Sequence, residues 1–397
     1  MDRFDVAVIG GGPSGLHAAS LLAEKGLKVL VAEKKREIGS NVICTGIVGK
    51  EIFQEFSISP DPVIRNIQIV KVVSSSGNSL HYQHPSTFAC IVDRKTFDQA
   101  LAEKARSAGA EIALGTWVRD VTLGRDGVEI ETEGGDAPAR TFAARMVILA
   151  TGIDYRLNKK LGLGVPDDHL LGAQAELEIS NEAAATIFIG KSVAPGAFAW
   201  AVPTVEGRLR LGLVTSREPR AWFLNLMKKF YPEKMDEFRP ESIQIKAIAQ
   251  GLVSRTYGER VIALGEAAGQ VKTTTGGGIY FGLLCSRIAA DVIHRCHQAG
   301  SFSAQSLSAY EKAWRESIQR EIIVGHYARR IFSLFSDAQI ERLFDLVKTD
   351  GIIPLVQAKG QFDWQSGLLI ELAKKVPPLS YFSDIRKKLD LFDRFLS

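Results

Sequence analysis

Cysteine is scarce in this 397-residue chain. There are four, at Cys44, Cys90, Cys285 and Cys296, and no two form a CxxC pair. That spacing supports neither a zinc site nor a disulfide framework, so no metal is expected and a reducing cytoplasm is the natural compartment. Long apolar runs are also missing: none reaches the roughly 18 residues of a membrane-spanning helix. Attachment at a membrane surface, such as the inner face of the cytoplasmic membrane, remains compatible with that. No charged region and small-residue cleavage site frame the first apolar stretch, so no signal peptide is expected. Neither sign of charge dominates. The net charge is only +4, which gives no broad electrostatic case for nucleic acid. Internal repeats and low-complexity linkers are absent. What is present is ordinary for a folded protein, with 46% hydrophobic and 24% charged residues. The length exceeds one ordinary core and suits two or three subdomains.

The N-terminus carries the clearest signal. Phe4 to Ile9 is short, apolar and branched, and reads as a buried parallel strand. Ser14 to Lys25 has helical periodicity, with Leu16, Ala19, Leu22 and Ala23 on one face and Gly26 as a C-cap. Lys28 to Ala32 is a second apolar strand, which completes a βαβ unit. Between the first strand and the helix lies Gly10-Gly11-Gly12-Pro13-Ser14-Gly15, with GxGxxG at Gly10, Gly12 and Gly15. Glycine is frequent here, 36 of 397, so the triplet alone is weak. Its context makes it a dinucleotide fingerprint. Gly10 allows the tight turn, Gly12 the approach of a pyrophosphate, and Gly15 close helix–strand packing. The phosphates are expected at the helix N-terminus, beside Pro13 and Ser14. Glu33 follows Gly15 by 18 residues, where an acid meets a ribose hydroxyl and repels the 2′-phosphate of NADP. Lys34, Lys35 and Arg36 come next, as phosphate attractors or as a solvated surface run.

Further along, residues 64–84 alternate like strands, and Thr96 to Ser107 reads as a helix ended by Gly109. Met146 to Leu149 is a strand that stops at Ala150-Thr151-Gly152. From about 168 to 250 short strand-like pieces follow one another (Leu170–Ile179, Thr186–Ile189, Ala197–Val202, Arg208–Val214), which points to an antiparallel sheet. Arg260 to Gly265 returns to the buried-strand style, then a glycine turn leads into a helix from about Gly278 to His297. The rest is mostly amphipathic helix. The expected fold is mixed α/β. A Rossmann-like domain is discontinuous over 1–60, 90–165 and 252–300, a substrate domain covers 61–89 and 166–251, and a helical region covers 301–397.

Four segments, in order, resemble the flavoprotein monooxygenase superfamily with the p-hydroxybenzoate hydroxylase fold: the N-terminal unit, Asp93-Arg94-Lys95-Thr96-Phe97-Asp98, Ala150-Thr151-Gly152, and Leu264-Gly265-Glu266-Ala267-Ala268-Gly269. Within it the chain most resembles the geranylgeranyl reductases. Cys44-Thr45-Gly46 is similar to that group's Cys-x-Gly, and Phe198-Ala199-Trp200-Ala201-Val202-Pro203 to its Tyr-x-Trp-x-Phe-Pro. Lys272-Thr273-Thr274-Thr275-Gly276-Gly277-Gly278-Ile279 is similar to the segment after its late flavin motif. Phe198, Val202 and Glu266 depart from the usual tyrosine, phenylalanine and aspartate.

The resemblance implies FAD, reduced-flavin chemistry and an isoprenoid lipid substrate. It implies cofactor contacts at Arg94, Thr151, Gly152, Gly265 and Glu266, whose carboxylate would accept from a ribityl hydroxyl. Arg94 has an alternative as partner of Asp93 or Asp98. Backbone N–H groups of Gly276, Gly277, Gly278 and Ile279 would approach the flavin ring or its reduced anion. Lys272 would add positive charge there, or lie on the surface. Cys44, Thr45 and Gly46 would lie near the ring, with Cys44 either in proton transfer or an inert buried thiol. Trp200 and Phe198 would face positive charge developing on a prenyl alkene, or be plain sheet core.

No second strand-linked fingerprint exists for a resident nicotinamide, so a transient donor is expected, either NAD(P)H or a small redox protein. The C-terminal faces Ile322-Ile323-Val324 and Leu368-Leu369-Ile370 read as core, or as the roof of a lipid cavity or a bilayer contact beside Lys374, Lys375, Arg386, Lys387 and Lys388. The competing functions are an FAD monooxygenase or halogenase acting on a small aromatic, which shares fold and cofactor, and a non-enzymatic flavin or lipid carrier.

Overall fold

The computed structural model describes residues 3–133, 139–179, 184–205, 207–349 and 352–375. Arg3–Ile9 is the hub of the first sheet. It pairs in parallel with Val29–Ala32 and with Thr141–Leu149, placing Val8 opposite both Val31 and Ile148. Val261–Ala263 and Glu111–Ala113 extend the parallel order on either side. Tyr257–Gly258, Trp117–Leu123 and Val128–Glu133 add antiparallel strands, making eight among the described residues.

Both faces of this sheet are covered, which explains its unbroken apolar strands. Val6 and Val8 point to one face and meet the helices Pro13–Glu24, Arg94–Ser107 and Ile279–Gln298 through Leu16, Phe97, Leu101 and Leu283. Ala7 and Ile9 point to the other, against Val121, Ile130 and Leu157. The long helix Ala304–Phe332 places Leu307, Tyr310, Trp314, Ile318 and Ile322 in the first of these cores.

The second sheet has seven strands, in the order Gln244–Gln250, Asp168–Glu178, Arg208–Thr215, Ala199–Pro203, Ala185–Phe188, Ile69–Val73, Ser79–Gln83. All neighbours are antiparallel except Ala185–Phe188 with Ile69–Val73, which run parallel. The pairs within 168–250 are all antiparallel, as the sequence suggests for that span; the parallel pair forms because Ile69–Val73 arrives from far upstream rather than through a hairpin. The region that reads as strands alone also contains the helix Pro219–Phe230. Pro219 opens it, and Phe223, Leu226 and Met227 pack on Leu209, Leu211 and Leu213. Strand alternation then decides the rest. Ala199 and Ala201 face that helix, while Trp200 and Val202 face the opposite way, toward Ile67, Ala89 and Val214.

A third sheet, Ile47–Gly49, Ala89–Val92 and Val63–Ile67, bridges the two. Ile322, Val324 and Ile370 are buried, so those C-terminal apolar positions turn inward. Arg386, Lys387, Lys388 and the side chain of Lys375 lie outside the described residues. Among the described residues no helix is long and apolar enough to cross a membrane.

Candidate active site

One continuous cavity of about 630 Å³ runs from the glycine turn to the aromatic-bearing face of the second sheet. At its polar end the glycines act by geometry. Gly10 has φ +112°, and a Cβ there would stand 2.3 Å from the carbonyl oxygen of Ala150. A Cβ on Gly15 would meet the Gly10 oxygen at 2.1 Å, so the helix can sit against the strand only without a side chain. Gly12 has nothing within 4 Å. It is the N-cap of Pro13–Glu24, and no side chain caps that helix. The first-turn N–H groups are thus left for an anion. Ser14 packs against Gly265 and Gly282, and its carbonyl accepts from the Ser286 hydroxyl at 2.8 Å.

Glu33 lies at the cavity wall, almost buried. Its Oε2 accepts from Gly11 N at 2.6 Å and its Oε1 from Lys35 N at 2.9 Å, so the acid also braces the glycine turn. Lys34 is an exposed rim residue. Thr151 donates to the Asp154 carbonyl at 2.8 Å, and Gly152 adopts φ +63° beside Glu266. Glu266 pairs with Lys246 at 3.0 Å, and Gly265 N donates to Gln270 Oε1 at 2.7 Å.

Arg94 takes the Asp98 pairing that its motif allows. Its guanidinium forks onto Asp98 (Nε–Oδ1 3.2 Å, Nη2–Oδ2 2.9 Å), with both side chains nearly buried, and it lies beside the sulfur of Cys44. Burial opposes ionisation of the Cys44 thiol. The Arg94 charge and the Gly46 N–H, which donates to Sγ at 3.4 Å, outweigh it and hold the thiol below its ordinary value. The other three thiols, Cys90, Cys285 and Cys296, are pushed up by burial, so Cys44 differs from all of them.

Sequence reasoning missed what holds the Cys44 loop. Arg210, on the second sheet, donates to the Thr45 carbonyl at 2.8 Å and is itself anchored by Glu176 at 2.7 Å. A Cβ on Gly46, where φ is +79°, would strike the Val92 carbonyl at 2.7 Å. Nothing local in the sequence marks Arg210, because its partner lies 165 residues away.

The glycine run is a tight loop: Gly276 N donates to Lys272 O at 2.8 Å and Lys272 N to Gly277 O at 2.9 Å, and Gly278 caps the helix that starts at Ile279. Lys272 is not the surface lysine its sequence also allowed. It is buried in an ion pair with Asp363 at 2.6 Å, drawn in by a carboxylate from the C-terminal region. At the apolar end Phe198 and Trp200 have ring centroids 5.9 Å apart, and the Trp200 Nε1 is buried without a partner. Gln174 and Thr186 are buried polar wall residues of the same cavity.

Comparison with known proteins agrees with this geometry. The model of FAD dependent oxidoreductases matches residues 5–153. A digeranylgeranylglycerophospholipid reductase 2 of Methanopyrus kandleri is 30% identical over 391 residues, covering 94% of this chain and 96% of its own. The chain belongs to the geranylgeranyl reductase family of FAD-dependent oxidoreductases. A digeranylgeranylglycerophospholipid reductase of Methanocaldococcus jannaschii is 29% identical, covering 97% and 98% of the two chains. Among solved structures, a geranylgeranyl bacteriochlorophyll reductase-like protein of Thermoplasma acidophilum shares the fold, with TM-score 0.82 at 21% identity and coverage of 98% and 99%. The flavin-dependent brominase Bmp2 is less similar, at 0.69 and 18%, with 99% of each chain covered. FAD is the cofactor of this flavoprotein. The chain fits it: an uncapped helix N-terminus for the pyrophosphate, open space over Gly12, an acid at Glu33, and a second glycine turn across the cavity.

Proposed function

We propose that this flavoprotein saturates isolated double bonds in the geranylgeranyl chains of a glycerophospholipid. The carrying observation is the continuity of the cavity: the glycine turn and Glu33 line one end, and Ile67, Val70, Phe88, Trp200, Val202 and Val214 line the other. A polar dinucleotide and an apolar chain would thus meet in one space. The names of the relatives, digeranylgeranylglycerophospholipid reductases, point to the same substrate class.

Gly10, Gly12, Pro13, Ser14, Gly15, Glu33 and Lys34 would hold the dinucleotide. Arg94, Thr151, Gly152, Gly265, Glu266 and the 276–279 turn would hold the remainder. When bound, reduced FAD supplies hydride. The chain's residues do the rest. An unactivated alkene accepts hydride poorly, so a proton must reach one of its carbons. Cys44 Sγ is our candidate donor: its S–H bond breaks as the new C–H bond forms, and the Arg94 guanidinium stabilises the sulfur anion left behind. Positive charge on the other alkene carbon would face the rings of Trp200 and Phe198, an attraction worth about 2 kcal/mol when desolvated. The apolar walls keep water from trapping that charge. Electrons would come from a transient donor, NAD(P)H or a small redox protein, and the lipid would be drawn from a membrane surface.

The test is anaerobic. The FAD-loaded protein is reduced with dithionite and given a geranylgeranylated glycerophospholipid. Product mass should rise by one pair of hydrogens per reduced bond. Oxygen-dependent hydroxylation or halogenation of a small aromatic, with no gain of hydrogen in the lipid, would instead establish the monooxygenase or halogenase reading.

A further inference from the structure

Phe362 and Asp363 line the cavity, although they belong to the short connector between the helices Ile352–Lys359 and Ser366–Lys375. Phe362 packs into the apolar cluster around Trp200, and its ring centroid lies 6.2 Å from that of Phe88. The connector is pinned unusually well. Lys272 Nζ pairs with Asp363 Oδ1 at 2.6 Å, with side chains only 7% and 5% exposed. The same ammonium stands 4.3 Å from the Phe362 ring centroid, and the Phe362 carbonyl accepts from Gln365 Nε2 at 3.0 Å. Glu321 accepts from the N–H groups of Gln365 and Ser366, both at 2.8 Å. Gly49 leaves the room that Asp363 needs, since a Cβ there would stand 2.3 Å from its Oδ2.

A buried ion pair is a poor route to stability, because desolvation offsets the attraction, but it holds one geometry firmly. Lys272 closes the Gly276–Gly277 loop through its own backbone. One rigid unit therefore carries both the glycine turn and the aromatic wall. We propose that Phe362 is the end wall of the prenyl channel, and that the Lys272–Asp363 pair sets its position. The wall then determines how deep the chain enters, and so which of its regularly spaced double bonds come to be reduced. This rests on the prenyl-reduction reading above.

The test uses the FAD-loaded holoenzyme with Phe362→Ala, Phe362→Leu and Phe362→Trp. Tandem mass spectrometry locates the added hydrogens in a geranylgeranylated glycerophospholipid. Calorimetric titration with farnesol and geranylgeraniol reads channel depth without turnover. Phe362→Ala and the milder Phe362→Leu should reduce at least one bond that the parent leaves, and Phe362→Trp should leave at least one that the parent reduces. Phe362→Trp should also weaken geranylgeraniol binding at least tenfold more than farnesol binding. Asp363→Asn, which keeps the ring but loosens its anchor, should spread reduction over several positions. Unchanged bond positions and an unchanged chain-length preference in folded, FAD-bound Phe362→Leu and Phe362→Trp would overturn the wall. Reduction absent in the parent, with the alcohol preference still moving with residue 362, would remove the prenyl-reduction reading and leave the wall standing.

Discussion

The Trp200 indole occupies the space that a side chain at Gly212 would need. The two residues pair across neighbouring strands, and a Cβ at 212 would stand 2.3 Å from Cζ2 and 2.5 Å from Cε2 of the ring. Gly212→Ala must therefore push the indole into the cavity. Overpacking of this kind costs about 1–3 kcal/mol. The melting temperature should fall by several degrees, FAD absorbance should persist, and double-bond reduction should drop on the order of 100-fold, the usual effect of a small misplacement at a reacting centre. Steady-state turnover beside a thermal melt checks both halves.

Glu33 braces the glycine turn as well as lining the cleft. Glu33→Gln replaces one acceptor oxygen by an NH₂ group and removes the charge from two backbone hydrogen bonds. A bond to a charged group contributes about 1.5–3 kcal/mol, so FAD binding should weaken about 10- to 100-fold. Fluorescence titration of the apoprotein with FAD measures it.

The Cys44 thiol is lowered by Arg94 against the effect of burial. Arg94→Met removes the largest influence that opposes burial and leaves only the Gly46 N–H and the Lys246 charge against it, so the thiol should titrate higher than in the parent. Arg94→Lys keeps the charge, should stay nearer the parent, and spares Asp98 the loss of its cation. Iodoacetamide alkylation rates against pH, with Cys44→Ser as background, read the midpoint directly. A midpoint that does not move would separate Arg94 from the thiol. Wild-type reduction rates in both Cys44→Ser and Cys44→Ala would remove Cys44 from the mechanism.

His17 is buried against Phe56, with Nδ1 unpartnered, and its pKa is lowered to about 3 by burial and by the nearby charges of Lys104 and Arg287. The unfolded chain binds this proton below about 6.5, the folded one only near 3. Stability is therefore lost as pH falls from the first value to the second, by about 1.4 kcal/mol for each pH unit crossed. His17→Leu should flatten the fall of melting temperature between about pH 7 and pH 5. An equal slope in both proteins would assign the acid sensitivity to other groups.

The dinucleotide half of the site was legible because its signals are local. Strand, glycine turn, helix and acid follow within 33 residues, and Gly15 answers a contact with the backbone of Gly10 only five residues before it. The helix Pro219–Phe230 was legible in principle, since Pro219 and the spacing of Phe223, Leu226 and Met227 mark it, but the surrounding run of strands masked its period. Trp200 and Phe198 were visible as motif residues. Which face they take followed only from the alternation of Ala199 and Ala201 against that helix.

Other features had no local trace. Arg210 grips the Cys44 loop from across the molecule, Gly212 is empty so that Trp200 can lie flat, and Lys272 is buried only because Asp363 meets it from the C-terminal region. By itself the sequence determined the cofactor turn, the order of the strand and helix units and the character of their faces, since these depend on propensity and periodicity within a few residues. The tertiary structure alone decided the lowering of the Cys44 thiol, the burial of Lys272 and the place of Phe362 in the cavity lining. Those depend on Coulomb attraction, desolvation and steric contact between groups that only folding brings within a few ångströms.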